Sequence, residues 1–212
     1  MSSAESRADG RPVNLDPRSR VRAAELEEHF DALGRALHQN MRSAAEHVLA
    51  WGVRLAEIYS HDGRLFACGN GGSAAEAQHL TAELTGRFRA ERKPLSAISL
   101  HAETSSLTAI CNDYGPDEMF ARQLFAHGRP GDVLITLSTS GSSANVVAAA
   151  KAGKEIGMAT WAMTGPSPNP LAALCDDAIP VDADSVSVVQ EMHLVLVHSL
   201  CAALESAMGV GR

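Results

Sequence analysis

Five short apolar segments, separated by longer stretches with helical periodicity, constrain the fold of this chain most strongly. The apolar segments span residues 64–68, 95–100, 133–137, 158–163 and 178–181. Runs of this length are typical of strands, and the sequences between them repeat their apolar residues every three to four positions. Helices are predicted over residues 73–84, 104–110, 117–126, 142–156 and 186–208. The alternation predicts an α/β fold with a five-stranded parallel sheet flanked by helices.

The sequence before the first predicted strand has two parts. Residues 1–20 are rich in Ser, Arg, Asp, Gly and Pro and lack periodicity, which predicts a flexible leader. Apolar residues then recur at helical spacing in two groups, within residues 26–37 and 45–58. They predict two amphipathic helices that cover the domain or another subunit. The length suits one domain, so we expect a single domain over residues 21–212 that includes an N-terminal helical extension at 21–60.

Charge and composition exclude several classes of protein. The 18 Lys+Arg and 25 Asp+Glu give a net charge of −7, which offers nucleic acid and anionic lipid no electrostatic footprint. We find no uncharged apolar window of about 18 residues and no signal-peptide pattern, so we expect no membrane partner. The four cysteines are scattered without a C-x-x-C pair, which favours free thiols in a cytoplasmic protein. They are Cys68, Cys111, Cys175 and Cys201.

A glycine-rich segment follows the first predicted strand. Residues 69–73 read Gly-Asn-Gly-Gly-Ser and precede a predicted helix. Glycines there allow backbone N–H groups to face a ligand, and Ser73 can cap the helix, whose positive end favours an anion. The segment lacks both the dinucleotide fingerprint and the P-loop ending. Nucleotide binding is therefore disfavoured, and the segment taken alone is more often a simple chain reversal than a site for an anionic ligand.

A hydroxyl-rich segment follows the third predicted strand. Residues 138–145 read Ser-Thr-Ser-Gly-Ser-Ser-Ala-Asn. Hydroxyls and N–H groups at the start of a helix can hold a phosphate without a lysine. A helix cap needs only one hydroxyl, so this run favours phosphate binding over capping.

Two predicted helices carry candidate acid, base and metal-ligand residues. His79 and Glu83 are four residues apart, so their side chains are neighbours on one helix face. They could bind a metal, act as an acid/base pair, or form only a weak surface contact. Gln190, His193 and His198 lie in the last helix. Since Gln190 and His198 are separated by roughly 12 Å of helical rise, spacing leaves the choice between His193 and His198 open. Either could instead be a core histidine.

Together these segments resemble the sugar isomerase (SIS) domain, and in particular the phosphoheptose isomerases, also called sedoheptulose-7-phosphate isomerases. The similarity runs over residues 24–208 and rests on CGNGGSAAEAQHLTAELTGR, ICNDYG, STSGSSANV and QEMHLVLVH, in the family's order and separations. The resemblance implies a flavodoxin- or Rossmann-like three-layer sandwich. It also implies a homotetramer whose active sites lie between subunits.

The resemblance implies an aldose–ketose isomerase that interconverts D-sedoheptulose 7-phosphate and D-glycero-D-manno-heptose 7-phosphate through an enediol. Glu83 and His198 would transfer the protons, because isomerisation needs a base and an acid. One zinc ion per subunit would be held by His79, Glu83, Gln190 and His198. A carboxylate bound to zinc is a weaker base, so the two roles implied for Glu83 compete. The implied substrate-binding residues are Asn70, Gly71, Gly72, Ser73, Arg87, Asn112, Asp113, Ser138, Thr139, Ser140, Ser143 and Gln190.

The sequence departs from the family pattern in two places. Ser187 and Val188 stand where the family commonly has an Asp-Arg pair, so the substrate's hydroxyls would be bound differently. Asp182 or Asp184 could compensate. Glu76 replaces an Asp, a mild change that we expect to lie away from the substrate.

Two other functions fit the same domain. One is a non-catalytic SIS tetramer that binds a sugar phosphate or a protein such as the replication initiator. The presence of all four implied zinc ligands favours catalysis instead. The other is an isomerase of hexose or arabinose phosphate, which the G-N-G-G-S and Q-x-x-H-x-x-x-x-H patterns disfavour. We therefore expect an enzyme of nucleotide-activated heptose biosynthesis, for an envelope glycan or a natural product.

Overall fold

A computed structural model of the protein describes residues 16–210. One sheet contains β1 (Leu65–Cys68), β2 (Ala97–Ser99), β3 (Val133–Ser138), β4 (Ala159–Thr164) and β5 (Asp177–Pro180). All neighbouring strands are parallel, in the order β2-β1-β3-β4-β5. The predicted five-stranded parallel sheet is therefore confirmed. This order reverses direction between β1 and β3, which is where such sheets bind ligands.

Helices connect the strands. They are α1 (Pro17–Ser60), α2 (Gly72–Thr85), α3 (Thr104–Tyr114), α4 (Ala121–His127), α5 (Ala144–Ile156), α6 (Pro170–Leu174) and α7 (Val186–Ala207). The helix predicted at 117–126 is divided into a 3-10 turn, Pro116–Glu118, and α4. We predicted no helix at α6, which is a short helix capped by the Asn169 side chain.

The N-terminal region forms one helix of 44 residues, so the prediction of two helices there is wrong. The apolar pattern lapses after Leu37, but residues 38–44 contain neither Gly nor Pro to break the backbone hydrogen bonds. The helix also includes residues 17–20, which we assigned to the leader. The rest of that leader, residues 1–15, lies outside the described residues.

Apolar side chains form a core on each face of the sheet. Alternate residues of a strand point to opposite faces, so Leu65 and Phe66 enter different cores. One core lies under α1, α2 and α7, and the other lies under α4 and α5. The helices α2 and α7 therefore share one face of the sheet.

By length and composition alone, α7 is apolar enough to cross a membrane, but half of its most apolar window is buried in the protein. Leu196, Val197 and Leu200 of this helix belong to the core. Packing against α1 and α2 thus accounts for the composition of α7.

Candidate functional site

A pair of asparagines joins the two segments predicted to bind a ligand. Asn70 follows β1, and Asn145 lies in the first turn of α5, after β3. Their side-chain amides exchange two hydrogen bonds, of 2.9 and 2.8 Å. The glycine segment and the hydroxyl segment are therefore held together across the switch point of the sheet.

The hydroxyls of the segment after β3 face one another. Ser143 is the N-cap of α5, but its side chain makes no capping hydrogen bond. Its Oγ lies 3.2 Å from Oγ of Ser138, which lies 3.5 Å from Oγ of Ser140. Between them, Gly141 has a φ of +59°, and a Cβ there would collide with Asn169. The turn thus gathers neutral donors at the N-terminus of α5, an arrangement suited to a phosphate.

The amino end of α2 contacts α7. Gly71 is the N-cap of α2 and Ser73 is a buried residue inside its first turn, so the prediction that Ser73 caps the helix is wrong. A Cβ at Gly72 would lie 2.5 Å from Nε2 of Gln190. A larger residue at this position would displace the end of the Gln190 side chain, which lies beside the glycine segment.

Three of the four predicted zinc ligands converge further along α2. His79 and Glu83 extend from α2, and His198 extends from α7. Nε2 of His79 lies 2.9 Å from Nε2 of His198 and 3.4 Å from Oε1 of Glu83. One ligand atom from each residue lies within 4.8 Å of the other two. We call these three residues the His-Glu-His cluster.

The donor set of the cluster fits a zinc ion. Two imidazoles and one carboxylate are a common three-residue ligand set of catalytic zinc sites. Nε2 atoms 2.9 Å apart must share a proton unless a cation binds both lone pairs. Gln190, the fourth predicted ligand, lies against Gly72, roughly 12 Å before His198 along α7, so its place in the ligand set stays a prediction.

His193 lies away from the cluster, in the core. Its side chain is fully buried and its Nε2 donates a hydrogen bond to the carbonyl of Thr164, at 3.1 Å. Its Nδ1 lies 3.7 Å from Oε2 of Glu76. Both Glu76 and His193 therefore face the protein interior. Within this chain, His198 is the histidine of α7 that meets α2 residues His79 and Glu83.

The four cysteines are free thiols, as predicted. Cys201 lies one turn after His198 and is buried. Burial, with the nearby Glu83 carboxylate adding to it, raises the pKa of the Cys201 thiol to about 12. The thiol is therefore neutral at physiological pH and contributes packing rather than a thiolate ligand.

Comparison with known proteins assigns the family. The SIS domain family model matches residues 28–165. The chain is 57% identical over 183 residues to a phosphoheptose isomerase of Streptomyces coelicolor, covering 86% of this chain and 79% of the relative. The chain belongs to the phosphoheptose isomerase family. The predictions of the SIS fold and of an isomerase enzyme are thereby confirmed.

Solved phosphoheptose isomerase structures have the same fold. The structure from Neisseria gonorrhoeae matches with a TM-score of 0.77 and 40% identity, over 90% of this chain and 100% of that one. The structure from Francisella tularensis matches with a TM-score of 0.82 and 30% identity, over 87% of this chain and 98% of that one.

Three residues that the resemblance to the phosphoheptose isomerases implies as substrate contacts make no hydrogen bond to the cluster within the described residues. Asn112 and Asp113 are exposed on α3, where Nδ2 of Asn112 donates to Oδ1 of Asp113 at 2.8 Å. Arg87 follows α2 and is exposed, 3.9 Å from Glu91. Within the described residues, none of these three has a hydrogen bond to the cluster or to the hydroxyl segment.

The first turn of α7 and the loop before it also differ from the expectation for phosphoheptose isomerases. Val188 is buried, and Oγ of Ser187 lies 2.7 Å from Oγ of Ser185. Asp182 and Asp184 are exposed, and the backbone of Asp182 is hydrogen-bonded to Asn40 of α1. Compensation by either aspartate for the missing Asp-Arg pair stays a prediction.

Sequence reasoning missed several residues that contact the site. Asn145 belongs to the STSGSSANV motif, but nothing in the sequence indicated that its side chain pairs with Asn70. Phe88 stacks on the ring of His198, with centroids 5.8 Å apart. Arg92 and Glu205 form a buried ion pair behind Glu83. The burial of a charged residue by tertiary packing does not change the periodicity of the sequence. The periodicity therefore gave no signal for Arg92, which lies in the loop after α2.

Proposed function

We propose that this chain is a zinc-dependent aldose–ketose isomerase that interconverts D-sedoheptulose 7-phosphate and D-glycero-D-manno-heptose 7-phosphate. The observation that carries the proposal is the convergence of His79, Glu83 and His198 from two helices. Membership of the phosphoheptose isomerase family supports a sugar-phosphate isomerase of a heptose pathway. Its product would feed the biosynthesis of a nucleotide-activated heptose.

The reaction moves a proton between neighbouring carbons of the open-chain sugar, with an enediol between the two isomers. Glu83 accepts the proton from the carbon beside the carbonyl, and His198 donates a proton to the carbonyl oxygen. The two groups then exchange roles. Glu83 returns its proton to the neighbouring carbon, and His198 accepts the proton of the other enediol hydroxyl. The convergence of a carboxylate and an imidazole from α2 and α7 within 4.8 Å of each other supports their acting on the same two carbons.

One zinc ion per subunit would be held by His79, Glu83 and His198, with Gln190 as the fourth ligand implied by the family. Zinc would supply Lewis-acid stabilisation of the negative charge on the enediol oxygen. Glu83 has two carboxylate oxygens and His198 has two ring nitrogens, so zinc binding through one atom of each would leave the other to accept or hold the transferred proton.

The phosphate would be held at the N-terminus of α5 by Ser138, Ser140 and Ser143, with Thr139 beside them. His79 lies seven residues beyond Gly72, roughly 10 Å further along α2. A heptose 7-phosphate has its phosphate and carbonyl at opposite ends of the chain. The Asn70–Asn145 pair holds the glycine segment beside the turn before α5, so the distance from Gly72 to His79 supports an extended sugar phosphate in preference to a short one.

The enzyme would act as a cytoplasmic homotetramer, without nucleic-acid or membrane partners. In support, α1 exposes large apolar side chains such as Phe30, at 70%, and Leu49, at 61%. A groove of about 490 Å³ between α1 and α7 is lined mainly by apolar residues. A second copy that covers this surface could bring its own Arg87, Asn112 and Asp113 to the substrate of this chain.

The test is an isomerase assay with purified protein and sedoheptulose 7-phosphate, with and without a chelator. We expect aldose formation that the chelator abolishes and added zinc restores. Absence of turnover under every metal condition would contradict the proposal. If the sugar phosphate still bound in that case, the result would favour the non-catalytic alternative.

A further inference from the structure

Arg92 is a buried arginine behind the His-Glu-His cluster. It lies in the loop after α2, and its side chain is only 3% exposed. A buried guanidinium is costly unless its N–H groups find acceptors. Nη2 of Arg92 donates to the backbone carbonyl of Glu83 at 2.7 Å, and Nη1 donates to that of Leu84 at 2.8 Å.

These two carbonyls belong to the last turn of α2, which ends at Thr85. Carbonyls in a helix's last turn lack partners within the helix and are satisfied from outside it. Arg92 therefore holds the end of α2 through the main chain of Glu83 itself. Fraying of this turn would move the Glu83 carboxylate relative to His79, one turn earlier.

Glu205 connects Arg92 to the helix that carries His198. Its side chain is 8% exposed, and its Oε1 lies 3.7 Å from Nε of Arg92. The same oxygen accepts a hydrogen bond from the backbone N–H of Arg89, at 3.2 Å. Glu205 follows His198 by seven residues, which places the two side chains on the same side of α7.

Phe88 adds a contact from the same loop to His198. The Phe88 and His198 rings are stacked, with centroids 5.8 Å apart and planes inclined by 26°. The loop between α2 and β2 thus contacts both residues of the proposed proton transfer. Arg92 binds the backbone carbonyl of Glu83, and Phe88 stacks on the ring of His198.

We propose that Arg92 and Glu205 are positioning residues, which fix the last turn of α2 against α7 and thereby set the geometry of Glu83 and His198. The inference rests on the proposed function of the cluster. Residues that orient metal ligands change metal affinity or activity by about 10- to 100-fold when they are replaced. We therefore expect Arg92→Lys to weaken zinc affinity and lower kcat, each about tenfold, with little change in KM.

Arg92→Lys is the informative substitution, because lysine keeps the charge but cannot donate to two adjacent carbonyls in the fork geometry of arginine. Arg64→Lys is the matched control. Nη2 of Arg64 donates to the carbonyl of His127 at 2.6 Å and pairs with Asp132 at 2.7 Å. Within the part of the chain that the structure describes, the Arg64 side chain bonds to His127 and Asp132 and makes no hydrogen bond or ion pair with α2, α7 or the loop between α2 and β2.

The experiment compares full-length wild type, Arg92→Lys and Arg64→Lys by thermal unfolding, by zinc affinity in competition with a chromophoric chelator, and by steady-state kinetics. Both variants are expected to lose stability, but only Arg92→Lys is expected to lose zinc affinity and kcat. Equal zinc affinity and equal kcat in the two variants would overturn the positioning role. If Arg92→Lys fails to fold, Glu205→Gln is measured against Asp132→Asn by the same criteria.

The zinc measurement separates this inference from the proposed reaction. A wild type that binds zinc but does not isomerise sedoheptulose 7-phosphate would contradict the proposed substrate, while the zinc affinities would still decide the role of Arg92. Turnover by wild type with no difference between the variants would overturn the positioning role alone. A wild type that neither binds zinc nor turns over the substrate would overturn both.

Discussion

The cluster and helix α3 both carry predicted site residues, but the fold holds them in different ways. His79, Glu83 and His198 extend from α2 and α7, which pack on each other and on the sheet. Asn112 and Asp113 extend from α3, which has no buried residue and contacts mainly the adjoining 3-10 turn. A single chain therefore fixes the residues that we propose transfer protons, whereas it leaves the α3 contacts open to a second copy.

The largest effect is expected at the cluster. Glu83→Gln and His198→Gln should each lower kcat by more than about a hundredfold, because each removes a group that we propose transfers a proton. Steady-state kinetics with sedoheptulose 7-phosphate checks this. Glu57→Gln is the control, since Glu57 is an exposed residue of α1 paired with Arg54. Retention of most activity in Glu83→Gln would exclude this carboxylate as the base.

The next effect is expected at α3. Asp113→Asn should lower kcat/KM by roughly 10- to 100-fold, the consequence of losing a hydrogen bond to a charged group. If α3 contributes to the site of another copy, each site combines Glu83 of one chain with Asp113 of a second chain. A mixed assembly of Asp113→Asn and Glu83→Gln chains then contains some sites in which both residues are unchanged. Mixed assemblies of the two variants should then be more active than either variant alone. No recovery after verified mixing would place both residues in a site formed by one chain.

The same contrast explains which parts of the fold and of the site could be predicted from the sequence. Strand positions were predictable because each strand is an apolar run bounded by polar residues. The approach of His79 to Glu83 was predictable because helix geometry makes positions i and i+4 neighbours. The burial of Arg92 and the exposure of α3 depend on tertiary packing. The continuity of α1 through residues 38–44 was missed because a polar stretch with no helix breaker gives the same lapse in periodicity as a boundary.

A smaller effect is expected at the phosphate end of the site. Ser143→Ala and Ser140→Ala should each raise KM several-fold, up to about tenfold, and leave kcat nearly unchanged. A phosphate that does not react is bound equally in the ground and transition states, so its contacts affect KM rather than kcat. Ser142→Ala is the control within the same turn, because Ser142 is exposed. A defect confined to kcat would contradict phosphate binding by these hydroxyls.

The smallest effect on turnover is expected at His193, the buried histidine of the same helix as His198. In His193→Gln, the amide N–H can still donate to the carbonyl of Thr164, and the residue does not reach the cluster, so kcat should stay within about threefold of wild type. The ring contact with Glu76 is lost, so the free energy of unfolding should fall by about 1–2 kcal/mol. Thermal unfolding and kinetics on the same preparation separate the two quantities. A loss of kcat equal to that of His198→Gln would contradict the assignment of His198 as the ligand on α7. It would indicate that His193, the core histidine, is the ligand instead.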